Sequence, residues 1–297
     1  MKKVKNTIPV YDICSLVGTD QLGSDIIAEP FASYLAVHPN LYLPHRHSFY
    51  HIVLFTKGGG YHTIDFEKFP VVPGQIYFMT PGQVHSWSFK GEVDGYVINF
   101  SHDLFSGFLS NVQYLDLFPF FQGVAADSVI DLKKEVLVEA KGIVEKIVQE
   151  VHAPGYQVLD LIRAYFIQLF VAVSRTVAGK TGDSIRPQNQ LVLRNFRKLV
   201  DTHYAEKRLP KEYAALLYIT PNHLNALCKD LVGKSAGEII RDRILLEAKR
   251  LLVNADLSMS EIAGRLSFTD SSHFSKFFKK YTTFTPEEFR RNAFAGE

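Results

Sequence analysis

Between about residues 31 and 100 the chain is built of short apolar runs, HIVLFT, GYHTIDF, GQIYFMT and GYVINF, rich in β-branched and aromatic residues. Glycine and proline punctuate them at Gly58 to Gly60, Pro73-Gly74 and Pro81-Gly82. Short strands at spacings of about 8 to 12 residues predict a small antiparallel barrel or sandwich. Beyond an irregular aromatic stretch after Ser101 the period changes. DLKKEVLVEAKGIVEKIVQEV places Val136, Ala140, Ile143, Val144, Ile147 and Val151 on one helical face. Ala153-Pro154-Gly155 interrupts it, and YQVLDLIRAYFIQLFVAVSR is apolar around far more of its circumference. The pair, at about 131–173, predicts an antiparallel helical hairpin that covers either its own domain or a second subunit.

Residues 175–190, RTVAGKTGDSIRPQNQ, lose hydrophobic periodicity and have the composition of a linker. Everything after Leu191 is helical in texture, and the chain there repeats itself. YAALLYITPNHLNALCKDLVGKSAGEIIR aligns with IAGRLSFTDSSHFSKFFKKYTTFTPEEFRR, pairing Ala214 with Ala263, Leu217 with Leu266, Thr220 with Thr269, Asn225 with Ser275, Lys229 with Lys279 and Glu238 with Glu288. Each copy predicts a short helix, a tight turn and a second helix with Thr220 or Thr269 as N-cap. This is a helix-turn-helix, whose second helix can enter a DNA major groove. SAGEIIRDRILLEAKRLLVNAD joins the copies as one amphipathic helix bearing Ile244, Ala248, Leu251 and Leu252.

Charge sharpens this picture. The 297 residues carry a formal net charge of only +2, which taken alone argues against a nucleic-acid partner. Residues 191–297, however, hold 18 basic and 13 acidic side chains, a net +5, while residues 1–190 hold 15 and 18, a net −3. Cys14 and Cys228 lie on opposite sides of that divide, which excludes a disulfide framework or a repeated zinc-type cysteine pattern and fits a reducing cytosol. Asn6, Pro9 and Asp12 interrupt any signal-like run, and Gln168 divides the longest apolar stretch. A soluble, cytoplasmic protein is expected.

The repeat closely resembles the DNA-binding domain of the AraC/XylS family of transcription regulators. The resemblance is carried by Arg243, Ala248 and Leu251-Leu252, by Ser260-Glu261-Ile262-Ala263 and Phe268, by Phe274-Ser275 and Phe278-Lys279-Lys280, and by Thr285-Pro286 with Phe289-Arg290. It implies base contacts at Asn222, Asn225 and Ala226 in the first head and at Ser271, Ser272, Ser275 and Lys276 in the second. Phosphate contacts are expected from Thr220, Lys229, Thr269, Lys279 and Lys280. Leu217, Leu224, Leu266, Phe274 and Phe278 read as core. Departures are Cys228 for a usual Phe, Ala226 for a frequent Arg, Ala236 for Pro, and Ser267 and Thr283 for Gly. A methyl group at 226 cannot donate to guanine as Arg can. Cys228, spaced helically from Leu224 and Leu231, is expected to pack in the core.

LPHRHSFYHIVLFTKGGGYHTIDFEKFPVVPGQIYFMTPGQVHSWSF resembles a cupin, specifically the sensory barrel at the amino end of AraC-type regulators. His45, His47 and His85 sit where cupins place metal ligands, so a metal-dependent cupin enzyme with an appended helical domain is the alternative reading. His51 stands in place of the usual Glu, and Ser86 to Phe89 lack the usual Asn. These departures favour a structural or ligand-contacting role without catalysis, metal or cofactor. His45, His47, Tyr61, His85 and Trp87 are expected to line an effector pocket, with Phe78 and Tyr96 as further candidates; His38 and His62 are expected at the surface or within strands.

The expected fold is therefore α+β and multidomain. A cupin-like β-barrel with a helical hairpin occupies residues 1–174 and serves effector binding and dimerisation, 175–190 are a linker, and two helix-turn-helix units joined by a long helix fill an all-α domain at 191–297. The implied partners are double-stranded DNA, a small-molecule effector such as a sugar or other metabolite, a second copy of the chain, and RNA polymerase. A module that only dimerises is a third reading of the first 174 residues.

Overall fold

The computed structural model describes residues 8–16, 25–105, 108, 114–178, 187–254 and 256–295. From Pro9 onward the chain divides into two compact units, Pro9–Asp183 and Ser184–Glu297.

The first unit contains two five-stranded sheets. One has the order β1 (Val10–Tyr11), β3 (His45–His47), β8 (Val84–Phe89), β5 (Gly60–Ile64), β6 (Glu67–Pro70). The other has the order β10 (Val129–Asp131), β7 (Gln75–Met79), β4 (Tyr50–Lys57), β9 (Asp94–Phe100), β2 (Ile26–Pro30). The second sheet is covered on both faces, which is why its central strands read as unbroken apolar runs. Val53, Phe55, Tyr77, Met79 and Val97 join Ile64 and Trp87 of the first sheet in one core. Ile52, Leu54, Ile76, Phe78, Ile98 and Phe100 point the other way into a second core with the helices. The first sheet alternates instead: His62 and Ile64 are buried on β5, while Tyr61 is exposed and Thr63 half-buried.

Two details of the strand reading change. Phe31–Val37 is a helix, α1, with Phe31, Tyr34 and Leu35 buried at i, i+3 and i+4; the strand precedes it, as β2. The hairpin is α2 (Lys134–His152) and α3 (Val158–Ala178). Ala140, Ile143, Val144, Ile147 and Val151 of α2 and Ile162, Phe166, Leu169, Phe170 and Val173 of α3 pack on the sheet of their own unit. Phe78 stacks on Phe120 at 4.0 Å between ring centroids, and Tyr96 donates its hydroxyl to Glu145 at 2.7 Å. Both face the helices rather than the space between the sheets, so neither lines a pocket there. The alternation of β4, β7 and β9 assigns them to the outer face.

The second unit is one helical core. It comprises α4 (Pro187–His203), α5 (Pro210–Leu216), α6 (Pro221–Val232), α7 (Ala236–Leu252), α8 (Met259–Arg265), α9 (Ser271–Thr282) and α10 (Pro286–Ala295). Of the residues expected in the linker, 175–178 end α3 and 187–190 begin α4, and 179–186 lie outside the described residues. No helix among the described residues is long and apolar enough to cross a membrane. Phe196, Leu224, Cys228, Ile244, Ala248, Ile262, Phe274 and Phe278 belong to a single cluster that spans both copies of the repeat. Leu217 packs at its edge and Leu266 is buried within it.

The backbone repeats as the sequence does. Tyr218 and Ser267 turn the chain with φ of 56° and 52°, and Gly233 and Thr283 close the second helices with φ of 73° and 70°. The two departures from glycine therefore fall where an L-residue is strained. Reciprocal capping boxes open α7, with Ser235 and Glu238, and α8, with Ser258 and Glu261. Arg208 donates to the Leu266 carbonyl and lies 3.9 Å from the Phe268 ring centroid, tying the first copy to the turn of the second. Arg290 donates to the carbonyls of Leu252, at 2.9 Å, and Leu257, at 2.6 Å.

Candidate functional site

The second unit displays two helices of matching form, α6 and α9. Their apolar sides are buried through Leu224, Leu227 and Cys228 and through Phe274 and Phe278. Helical periodicity then turns Asn222, Ala226, Lys229 and Asp230 outward on α6 and Ser272, Lys276, Lys279 and Lys280 outward on α9, all exposed. Position for position, offset by 50, α9 presents three lysines where α6 presents one lysine and one aspartate. Ser271 and Ser275 are half-buried. Asn225 is also half-buried, and its side-chain oxygen accepts from the Ala236 N–H at 3.1 Å. It thus satisfies a free donor at the start of α7, a structural task that competes with the base contact expected of it.

Thr220 caps α6 by accepting from the His223 N–H. Thr269 does not cap α9: Asp270 does, accepting from the His273 N–H at 2.7 Å. The second copy has one extra residue in this turn, and the inserted carboxylate takes the capping position. His223 and His273 are exposed at equivalent places beside the helix starts, and the sequence reading omitted both; their shared offset of 50 was the available signal.

The first unit carries a different cluster. His45 and His47 alternate with Arg46 on β3 and so share a face, and His85 is the direct cross-strand partner of His45 on β8. His51 enters from β4 of the other sheet, with ring centroids 4.9 Å from His47 and 5.4 Å from His85. His62 completes the group: it stacks on Trp87 at 3.5 Å and shares a hydrogen bond of 3.0 Å with His85. All five are buried. His62 is therefore interior, and Tyr61, expected in the pocket, is half-exposed on the opposite face of the same strand. Strand alternation counted back from Ile64 gives this result; choosing Tyr61 for its aromatic character missed it.

Burial holds these imidazoles neutral. His45 and His51 are each lowered to about 4, and His47, His62 and His85 fall well below the ordinary histidine range, with neighbouring histidines adding to the effect. His45 donates through Nδ1 to the Leu43 carbonyl at 2.7 Å. His51 Nδ1 is hydrogen-bonded to Asn99 Oδ1 at 2.6 Å, and Asn99 Nδ2 donates to the Tyr34 hydroxyl at 3.0 Å. One ring nitrogen from each of His45, His47 and His85 lies within 4.8 Å of the others. The nearby buried carboxylate, Asp65, is committed to Gln83 and to the Val84 N–H.

Comparisons with known proteins follow this division. A family model for the AraC-like ligand binding domain matches residues 36–154, and one for a helix-turn-helix domain matches residues 213–292. The HTH-type transcriptional activator RhaR of Cronobacter sakazakii is 24% identical over 257 residues, covering 85% of this chain and 88% of that protein. The HTH-type transcriptional activator RhaS of Salmonella agona is 25% identical over 267 residues, covering 86% and 92%. The crystal structure of unsaturated fatty acid bound ToxT from Vibrio cholerae superposes with a TM-score of 0.44 and 12% identity, covering 92% of this chain and 97% of that one. With its two units matched in turn by a ligand-binding and a helix-turn-helix domain, the chain belongs to the AraC/XylS family of transcription regulators.

Proposed function

We infer that the protein is a sequence-specific, effector-responsive transcription activator of the cytoplasm that works as a homodimer and recruits RNA polymerase. The observation that carries this reading is the repeated exposed face of α6 and α9, held on one core and lined with groups suited to bases and phosphates. Asn222, Ala226, Ser272 and Lys276 would meet base edges, with Ser271, Ser275 and Asn225 at their margin. Thr220, Lys229, Lys279 and Lys280 would meet phosphates, and Thr269 stands beside the Asp270 cap. Asn suits adenine and Lys suits guanine, so sequence discrimination should rest on Asn222 and Lys276. The space between the two sheets, lined by His45, His47, His85 and Trp87, is the proposed effector site. Effector binding would bias which half-sites a dimer can span. Catalysis has no part in this reading.

Selection of bound duplexes from a random pool tests it. A recovered motif whose preference relaxes at one position on changing Asn222 or Lys276 to Ala supports the reading. Recovery of no motif, or binding indifferent to salt, refutes it.

A further inference from the structure

We propose that Ala236 is a positioning residue that sets the specificity of the first head: its backbone N–H holds the amide oxygen of Asn225 back from DNA and leaves that side chain a donor only. The proposal rests on the reading of α6 as a helix that meets base edges, and it adds what residue 225 can recognise there.

Each reading helix is followed by a capped helix, and the two junctions differ in one group. In the first copy, Ser235 N–H donates to Glu238 Oε2 at 2.8 Å and Glu238 N–H donates to Ser235 Oγ at 3.3 Å. In the second, offset by 50, Thr285 N–H donates to Glu288 Oε2 at 2.7 Å and Glu288 N–H donates to Thr285 Oγ1 at 3.2 Å. The residue after the cap is Ala236 in one and Pro286 in the other, and both are buried. Ala236 brings an N–H, one of the donors that a helix start leaves without an intrahelical partner. Proline at the same place brings none.

Asn225 meets that donor, its Oδ1 accepting from the Ala236 N–H at 3.1 Å. An N–H can only donate, so the oxygen of the amide and not its nitrogen faces α7. Among the described residues Nδ2 has no hydrogen-bond partner, and it is the atom left for DNA. A bidentate contact to adenine needs both ends of the amide at the base edge, Oδ1 to accept from the exocyclic amine and Nδ2 to donate to the ring nitrogen. With Oδ1 drawn back to α7 only the donor remains. It finds an acceptor on adenine, guanine or thymine and is refused by cytosine, whose edge offers a donor. Asn225 therefore excludes cytosine without choosing among the other three bases. Ser275, its counterpart, stands in the copy that carries Pro286, and among the described residues its side chain has no hydrogen-bond partner. The replacement of the family's usual proline by Ala236 is thus what creates the lock.

Selection of duplexes from a random pool by the full-length protein tests this. Ala236→Pro removes the N–H where the backbone already suits proline: Ser235 is extended, with ψ 158°, and Pro286 opens α10 in the second copy. One position of the motif should pass from tolerating three bases to preferring adenine by about 5- to 150-fold. Adding Asn225→Ala should abolish that preference, and Asn225→Ala alone should admit cytosine there. Ala236→Gly keeps the N–H and should leave the motif unchanged. The salt dependence of binding should be the same in all these variants, since no phosphate contact is touched. If Asn225 served only to cap α7, Ala236→Pro would alter stability and not the motif. Ser275→Asn, beside Pro286, should gain an adenine preference in the second head, and this variant decides if Ala236→Pro does not fold. An unchanged motif in whichever of the two is folded overturns the proposal, as does an adenine preference that persists in Ala236→Pro/Asn225→Ala. Recovery of no motif by the wild-type chain refutes the reading of α6 itself, whereas a wild-type motif that these variants leave untouched refutes the lock alone.

Discussion

Replacing Lys279 and Lys280 together by Ala tests the link between the exposed face of α9 and DNA. Both side chains are exposed, and the helix is held by Phe274 and Phe278 on its other side, so the fold should survive. Four lysines, Lys229, Lys276, Lys279 and Lys280, line the two outward faces. If Lys229, Lys279 and Lys280 each neutralise one phosphate while Lys276 meets a base, the plot of log affinity against log salt falls with a slope of about −2.7, at about −0.9 per contact. The double variant removes about 1.8 of that slope. Between about 50 and about 200 mM salt, the wild type should lose roughly 12-fold more affinity than the variant. Fluorescence anisotropy on a mixed-sequence duplex reads this without knowledge of the operator, because the phosphate term is independent of sequence. Lys229→Ala should lower the slope by only about 0.9, since α6 carries Asp230 where α9 carries Lys280. Equal slopes for wild type and double variant would show that α9 does not face the phosphates.

Further outcomes concern stability and reactivity. Thr283 is β-branched at φ 70°; Thr283→Gly should stabilise the second unit by about 0.5 to 1 kcal/mol, relief of strain exceeding the added freedom of the unfolded chain, and a lower urea midpoint would contradict this. Arg290→Met should cost about 2 kcal/mol by leaving the Leu252 and Leu257 carbonyls without their donor, and an unchanged midpoint would show that water replaces it. Cys14 is exposed, whereas Cys228 is buried and its thiol is pushed up to about 11 by burial. A disulfide reagent at neutral pH should therefore titrate one thiol in the native chain and two after denaturation; two fast thiols would mean that the core around Cys228 opens.

What the sequence revealed depended on how strongly packing constrains each residue. β4 and β7 were legible because both of their faces are buried, so the runs IVLF and IYFM had to be apolar, with the polar His51 and Gln75 at their starts. The repeat was legible because each copy must fill the same core, which pairs Leu224 with Phe274 and Ala214 with Ala263. Misplacements came where residue type was weighed above phase. Tyr61 and His62 exchange sides by one step of a strand, and Phe78 and Tyr96 face helices that lie far along the chain. Thr269 and Asp270 are both good capping residues, and only the backbone distinguishes them. The inward turn of His51 and its bond to Asn99, 48 residues away, depends on β4 pairing with β9, which no local pattern encodes.

The single core shared by α6 and α9 has a further consequence. Phe274, Leu224 and Ala248 are buried together, and Arg208 pins the turn of one copy to the other, so the two reading helices behave as the fixed jaws of a gauge. A rigid gauge cannot stretch to suit the pitch of the duplex, so any mismatch would have to be absorbed by the nucleic acid. Sites of equal base sequence under the jaws should then differ in affinity according to how easily the intervening steps bend. Part of the operator's identity would thus reside in base pairs that no side chain touches.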